Sequence, residues 1–197
     1  MKKGYVYTVL FMLVISAVFT FLLAGTNALV EPTIEKNVKF DLEKSLLDSV
    51  GLDYSGTAEE VTERFAQNLE LVEAEDLTYY RQIDEQGKTI GYSVPFSGSG
   101  LWGTIHGYIG VSEDLAEMKG LVFTEQNETP GLGGRISEDW FREQFRGLRL
   151  DAATPVKYGL NGDKQIDAIT GATQTSNAIT KIINQVVNEV LSKVEVQ

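Results

Sequence analysis

Apolar and polar positions alternate along the chain in regimes that change several times. From Gly4 to Val30 no charged residue interrupts a run of Val, Leu, Phe, Ile and Ala, which ends at Glu31 and Pro32. Roughly 20 apolar residues cross the ~30 Å hydrocarbon layer of a bilayer, so this run predicts a transmembrane helix. Beyond it, Ile34, Val38, Leu42, Leu46 and Val50 recur at helical spacing and stop before Gly51, predicting a helix that continues outward from the span. A second helix is expected from Thr57, whose hydroxyl can cap the first turn while Glu60 reaches back to the cap. Val61, Phe65, Leu69 and Val72 supply its buried side.

The period then shortens to that of strands. Tyr79 to Ile83, Thr89 to Phe96, Leu101 to Ser112 and Met118 to Thr124 are expected to pair as an antiparallel sheet, with a turn through Asp84 to Lys88. A short helix is expected between Ser137 and Leu148, with Trp140, Phe141, Phe145 and Leu148 as its apolar contacts. The terminal helix is the clearest element, because Ile179, Ile182, Ile183, Val186, Val187, Val190, Leu191 and Val194 fall at three-four spacing. Strands grouped before a helix, rather than alternating with helices, predict an α+β domain: an antiparallel sheet packed with helices, preceded by one N-terminal transmembrane helix.

Composition and charge narrow what such a domain can do. About 165 residues follow the apolar run, enough for one domain with a real core. A net charge of −11, with acids spread along the chain, gives no footprint for nucleic acid. Cysteine is absent and histidine occurs once, at His106, which removes disulfides, thiolate nucleophiles, iron–sulfur clusters and nearly all zinc sites. Redox chemistry, if present, requires an organic cofactor. Lys2 and Lys3 before the apolar run favour a cytoplasmic amino terminus and an exported remainder. The small residues Thr26, Asn27 and Ala28 also allow a cleaved signal peptide; the length of the run favours a retained anchor, and both readings export the domain.

Immediately before the last helix stands Asp167-Ala168-Ile169-Thr170-Gly171-Ala172-Thr173, followed by Gln174-Thr175-Ser176. The first amides of a helix lack partners and its dipole adds about half a positive charge, so this turn suits a phosphate. An ordinary N-cap is the competing reading. Glu128-Thr129-Pro130-Gly131-Leu132-Gly133-Gly134 forms a second block: Pro130 fixes one backbone angle while the glycines permit close approach, either to a flat ring or merely in a tight turn. A third block is Gly98-Ser99-Gly100-Leu101-Trp102-Gly103. Continued as a strand, it puts Trp102, Thr104, His106 and Tyr108 on one side and Leu101, Ile105, Ile109 and Val111 mostly on the other. Trp102 then either borders a ligand or covers the sheet as a core aromatic. His106, with no carboxylate nearby in sequence, reads as a packed strand residue.

Together the three blocks resemble the FMN-binding domain family that includes the C subunit of the Na⁺-translocating NADH:quinone oxidoreductase (Nqr) and the G subunit of the Rnf ferredoxin:NAD oxidoreductase. The resemblance implies FMN held covalently, by a phosphoester to Thr173, and attached by an exported flavin transferase that recognises Asp167. It implies cofactor contacts from Thr170, Gly171, Ala172, Glu128, Thr129, Gly131, Leu132 and Trp102, while Thr175 and Ser176, beyond the motif, would at most hydrogen-bond the phosphate. On this reading residues 1–31 are a cytoplasmic start and transmembrane anchor, 32–76 a helical linker region and 77–197 the FMN-binding domain. The chain would be a single-pass cell-membrane flavoprotein, an electron-transfer subunit rather than a complete enzyme, partnered by other subunits of an ion-translocating redox complex. The exported part of the Nqr subunit is usually longer than this one, and the Rnf subunit typically lacks Leu-Trp in the third block, so the parent complex stays open. A free-standing exported FMN-dependent reductase and a flavin-free anchored binding module are the rival classes.

Overall fold

The computed structural model describes residues 2–161 and 164–194. Its contacts divide the chain into Met1–Asp41 and Leu42–Gln197. The first unit is almost all of helix α1 (Lys2–Ser49), which runs through Pro32. From Gly4 this helix is long and apolar enough to cross a membrane, and Tyr5 through Leu23 expose large apolar side chains as a bilayer-facing surface does.

The second unit begins with the last two turns of α1 and continues into α2 (Ala58–Asn68). Thr57 caps α2 as the sequence predicts: its hydroxyl accepts from the Glu60 amide at 3.3 Å, and the Glu60 carboxylate accepts from the Thr57 amide at 2.8 Å. The helix is shorter than expected. Leu69 and Val72 fit its spacing but belong instead to strand β1 (Leu69–Glu73), which pairs antiparallel with β2 (Thr78–Ile83). The segment expected as a helical linker, 32–76, thus contains a strand, and its part from Leu42 onward lies in the same compact unit as the rest of the sheet.

Strands β3 (Thr89–Ser99), β4 (Thr104–Ser112), β5 (Glu117–Glu125) and β6 (Leu148–Arg149) complete a six-stranded antiparallel sheet in sequential order β1 to β6. Between β5 and β6 the expected single helix is instead a 3₁₀ turn at Gly133–Ser137, helix α3 (Asp139–Arg142) and another 3₁₀ turn at Glu143–Phe145. Phe141 and Phe145 are buried as expected; Trp140 is 41% exposed, and Leu148 is a strand residue. A hairpin of β7 (Gly159–Asn161) and β8 (Lys164–Ile166) follows, then α4 (Thr173–Gln185), extended by a wider π turn at Val186–Val190 and a 3₁₀ turn at Leu191–Lys193.

One face of the sheet carries the main core. Tyr92, Val94 and Phe96 from β3 and Ile105, Ile109 and Val111 from β4 pack with Ile179, Ile182 and Ile183 of α4 and with Phe141 and Phe145. Because side chains alternate across a strand, Gly110 of β4 faces the other way. There the end of α1 seats itself: a Cβ on Gly110 would lie 1.8 Å from the Ser49 carbonyl oxygen, and one on Gly120 of β5 would lie 2.5 Å from it. Ser49 and Ser93 share a 2.7 Å hydroxyl hydrogen bond beneath this seat. Asp48, on the same turn, is ion-paired with Arg142 and, at 3.4 Å, with Arg146. Burial works against charge on Arg142, but its hydrogen bonds to Asp48 and Asp139 outweigh this and hold the guanidinium protonated more firmly than usual.

Candidate functional site

The three sequence blocks converge at the end of the sheet where β3 turns into β4 and where β5 ends. Glu128 follows β5, is 5% exposed, and is the residue that joins them. Its Oε1 accepts from the amides of Leu101 at 2.8 Å and Trp102 at 3.0 Å, while Oε2 accepts from the Thr175 hydroxyl at 2.5 Å. One carboxylate thereby touches the β3–β4 turn and the first turn of α4 while sitting in the glycine-rich loop itself. Glycine is required where the chain crosses it. A Cβ on Gly100 would stand 2.6 Å from Oε1, and one on Gly133 would stand 2.5 Å from the Thr175 hydroxyl and 2.8 Å from Oε2.

The loop after Glu128 turns outward. The Thr129 carbonyl accepts from the amides of Leu132 at 3.1 Å and Gly134 at 2.9 Å, which curls Pro130 and Gly131 into solvent. Gly131 takes a φ of +75°, the left-handed conformation that glycine adopts without penalty. Leu132 is 44% exposed and leans on the turn before α4, since a Cβ on Gly171 would lie 3.3 Å from its side chain. Trp102 does not continue a strand as the sequence suggested. β4 starts only at Thr104, so Trp102 and Leu101 lie in the preceding turn with Trp102 68% exposed. It covers no core. His106 is half-buried on β4, opposite Ser97 and Glu125.

Helix α4 begins at Thr173, and the cap position is taken by Ala172, which has no side chain to serve as a cap. The ordinary N-cap reading therefore fails. Among the described residues the Thr173 hydroxyl has no hydrogen-bond partner, and the amides of Thr173, Gln174 and Thr175 are likewise unpaired before Ser176 closes the first helical bond to Ala172 at 2.9 Å. Thr170, Gly171 and Thr173 are exposed; Ala172 is buried. The side chains of Thr175 and Ser176, which the resemblance gave at most a hydrogen bond to the phosphate, face inward. Thr175 is 1% and Ser176 0% exposed, the first spent on Glu128 and the second accepting from the Ile169 amide at 3.0 Å. Tyr158 fixes the same turn by donating to the Ser176 carbonyl at 2.7 Å, and burial pushes its hydroxyl pKa well up.

Asp167 stands apart from this cluster. Its amide donates to Gln144 at 2.7 Å and its exposed carboxylate accepts from Gln165 at 3.1 Å, leaving it presented on the surface. Beside the glycine loop, Arg135 bonds Glu138 and lies 5.2 Å over the Trp140 ring. The Arg135 hydrogen bond, then that from Trp140, holds the Glu138 carboxyl below its usual range.

Comparison with known proteins bears on what this arrangement is for. Residues 100–188 match the family model of the FMN-binding domain. Over 103 residues the chain is 43% identical to the G subunit of the proton-translocating ferredoxin:NAD(+) oxidoreductase complex of Clostridium ljungdahlii, a match over 52% of this chain and 55% of that one, so the chain spans about half the length of this relative. The C subunit of the Na(+)-translocating NADH-quinone reductase of Haemophilus ducreyi is 24% identical over 87% of this chain and 85% of its own. In fold, the FMN-binding domain with its flanking elements is similar to the crystal structure of the C subunit of the Na(+)-translocating NADH-quinone reductase of Parabacteroides distasonis, with a TM-score of 0.66 and 23% identity over 84% of this chain and 98% of that one.

An FMN-binding domain fits what the residues present. The free Thr173 hydroxyl and the unpaired amides of the exposed Thr173 and Gln174 suit a phosphate. The exposed side chains of Leu132, Leu101 and Trp102, grouped around Glu128, give a ring system apolar surface to cover. The sequence resemblance pointed to Glu128 as a ligand residue and missed its partners, which lie far from it along the chain.

Proposed function

We propose that this chain is the membrane-anchored flavoprotein subunit of an ion-translocating electron-transport complex, carrying FMN through a phosphoester to Thr173. The observation that carries the reading is the Thr173 hydroxyl: exposed, unpartnered, and first in a helix whose opening amides are free. FMN supplies one- or two-electron transfer, and the chain supplies its placement. The α4 amides and dipole receive the phosphate charge, Leu132 and the β3–β4 turn offer apolar cover, and the exposed Asp167 offers a transferase something to recognise. Helix α1 fits a single membrane anchor, and Lys2 and Lys3 favour an exported domain. The charge-free run from Gly4 to Val30 gives no ion path, so ion movement belongs to other subunits of the complex, of the Rnf or Nqr type named for its relatives. The test is expression with an exported flavin transferase. A denaturing gel under ultraviolet light shows a fluorescent band at the mass of the chain, and a dark band overturns covalent attachment.

A further inference from the structure

Sequence resemblance counts Glu128 among the residues that touch FMN, but both oxygens of its buried carboxylate already accept hydrogen bonds from the protein. We infer that Glu128 is a positioning residue: it ties the β3–β4 turn and the start of α4 to the glycine loop, and so presets the surface on which FMN lies. This inference rests on the FMN reading and extends it. All three partners of the carboxylate are donors, two backbone amides and one hydroxyl, which suits a group that only accepts. Its own amide is held by Gln126 Oε1 at 2.8 Å, so the residue is fixed at both ends. The carboxylate lies against the backbone of Gly100 and Gly133, where a Cβ would stand 2.6 Å from Oε1 and 2.8 Å from Oε2. The segments it joins are otherwise short turns without regular pairing at this end of the sheet, and each bears one group of the proposed flavin surface: Trp102, Leu132 and Thr173. A charge-assisted hydrogen bond is about twice as strong as a neutral one, so one side chain can set three loops.

Two variants separate geometry from mere presence in the fold, both in the full-length protein in detergent. Glu128→Ala removes every acceptor. Glu128→Gln keeps an oxygen for Leu101 and Trp102 and turns its NH₂ toward the Thr175 hydroxyl, which can accept. Amide hydrogen exchange of Leu101 and Trp102 is read without cofactor, and covalent FMN content is read after coexpression with the transferase. In Glu128→Ala, exchange at these two amides rises roughly tenfold, the scale of one lost charge-assisted hydrogen bond, and FMN content falls severalfold; in Glu128→Gln both return toward wild type. Unchanged exchange in Glu128→Ala overturns the tie, and faster exchange with undiminished FMN overturns its role in placing the cofactor. If circular dichroism shows Glu128→Ala unfolded, Thr175→Val decides, since it cuts only the α4 arm: FMN content falls while Leu101 and Trp102 stay protected, and undiminished FMN overturns the inference. A wild-type protein without FMN would instead overturn the flavin reading on which all of this stands.

Discussion

Two threonines two positions apart in the first turn of α4 have opposite duties, and substitution should separate them. Thr173 exposes a hydroxyl that nothing in the domain uses, so Thr173→Ala loses no hydrogen bond and gains slightly in helix propensity, by at most about 0.7 kcal/mol. Its melting temperature should equal or slightly exceed that of the wild-type apoprotein, and covalent FMN should be absent by in-gel fluorescence. Retention of FMN would place the attachment elsewhere. Thr175→Ala removes a buried donor to a carboxylate, a loss of about 1.5–3 kcal/mol, and should lower the denaturation midpoint in urea without changing the slope. In the letters alone these two positions look like attachment site and bystander. What hides the difference is separation along the chain: the partners of Glu128 lie 26, 27 and 47 residues away, and no local pattern encodes a contact of that span. Thr173 itself is legible only through the motif it completes.

At the scale of elements, the long periodic segments are legible in the sequence and the short ones are not. The capping box at Thr57, the four long strands and α4 are all present, although β4 starts at Thr104 rather than Leu101 and α4 passes into π and 3₁₀ turns after Gln185. β1 reads as helix because Leu69 and Val72 satisfy both periods, and pairing with β2 decides between them. β6, β7 and β8 have two or three residues each, too few to carry a period. The seat of α1 on the sheet is another element-level feature. Gly110→Ala drives a methyl into the Ser49 carbonyl and should cost about 1–3 kcal/mol or more, read as a lower melting temperature. Asp48→Asn, which removes the carboxylate from the little-exposed pair with Arg142, should cost about 3 kcal/mol. Acid should loosen the same corner. The hydrogen bond from Arg146 holds the Glu143 carboxyl below its usual range, so its small, salt-screened contribution is complete above the ordinary carboxylate pKa and is lost as pH falls through the lowered value. The Glu143→Gln variant should therefore differ from wild type in thermal stability at neutral pH and match it at the acid end.

For the molecule as a whole, the sequence foretells an apolar helix followed by an α+β domain and ends the anchor at residue 31, whereas α1 runs on to Ser49 and the compact unit begins at Leu42. A periplasmic-type reporter fused after Gln197 should be active only outside the cytoplasm; activity confined to the cytoplasm would reverse the proposed orientation. The boundary has a practical side. Leu46, Leu47 and Val50 are 0%, 0% and 2% exposed, and the carbonyl of Ser49 fills the hollow over Gly110 and Gly120, so the closing turns of the anchor helix are a structural component of the FMN-binding half. A protease that clips within 31–41 should release a water-soluble, folded fragment still able to hold its yellow colour. A gene truncated to begin after Val50, although it keeps every strand and every motif, should yield insoluble protein, because it uncovers a strip of sheet shaped to fit nothing else.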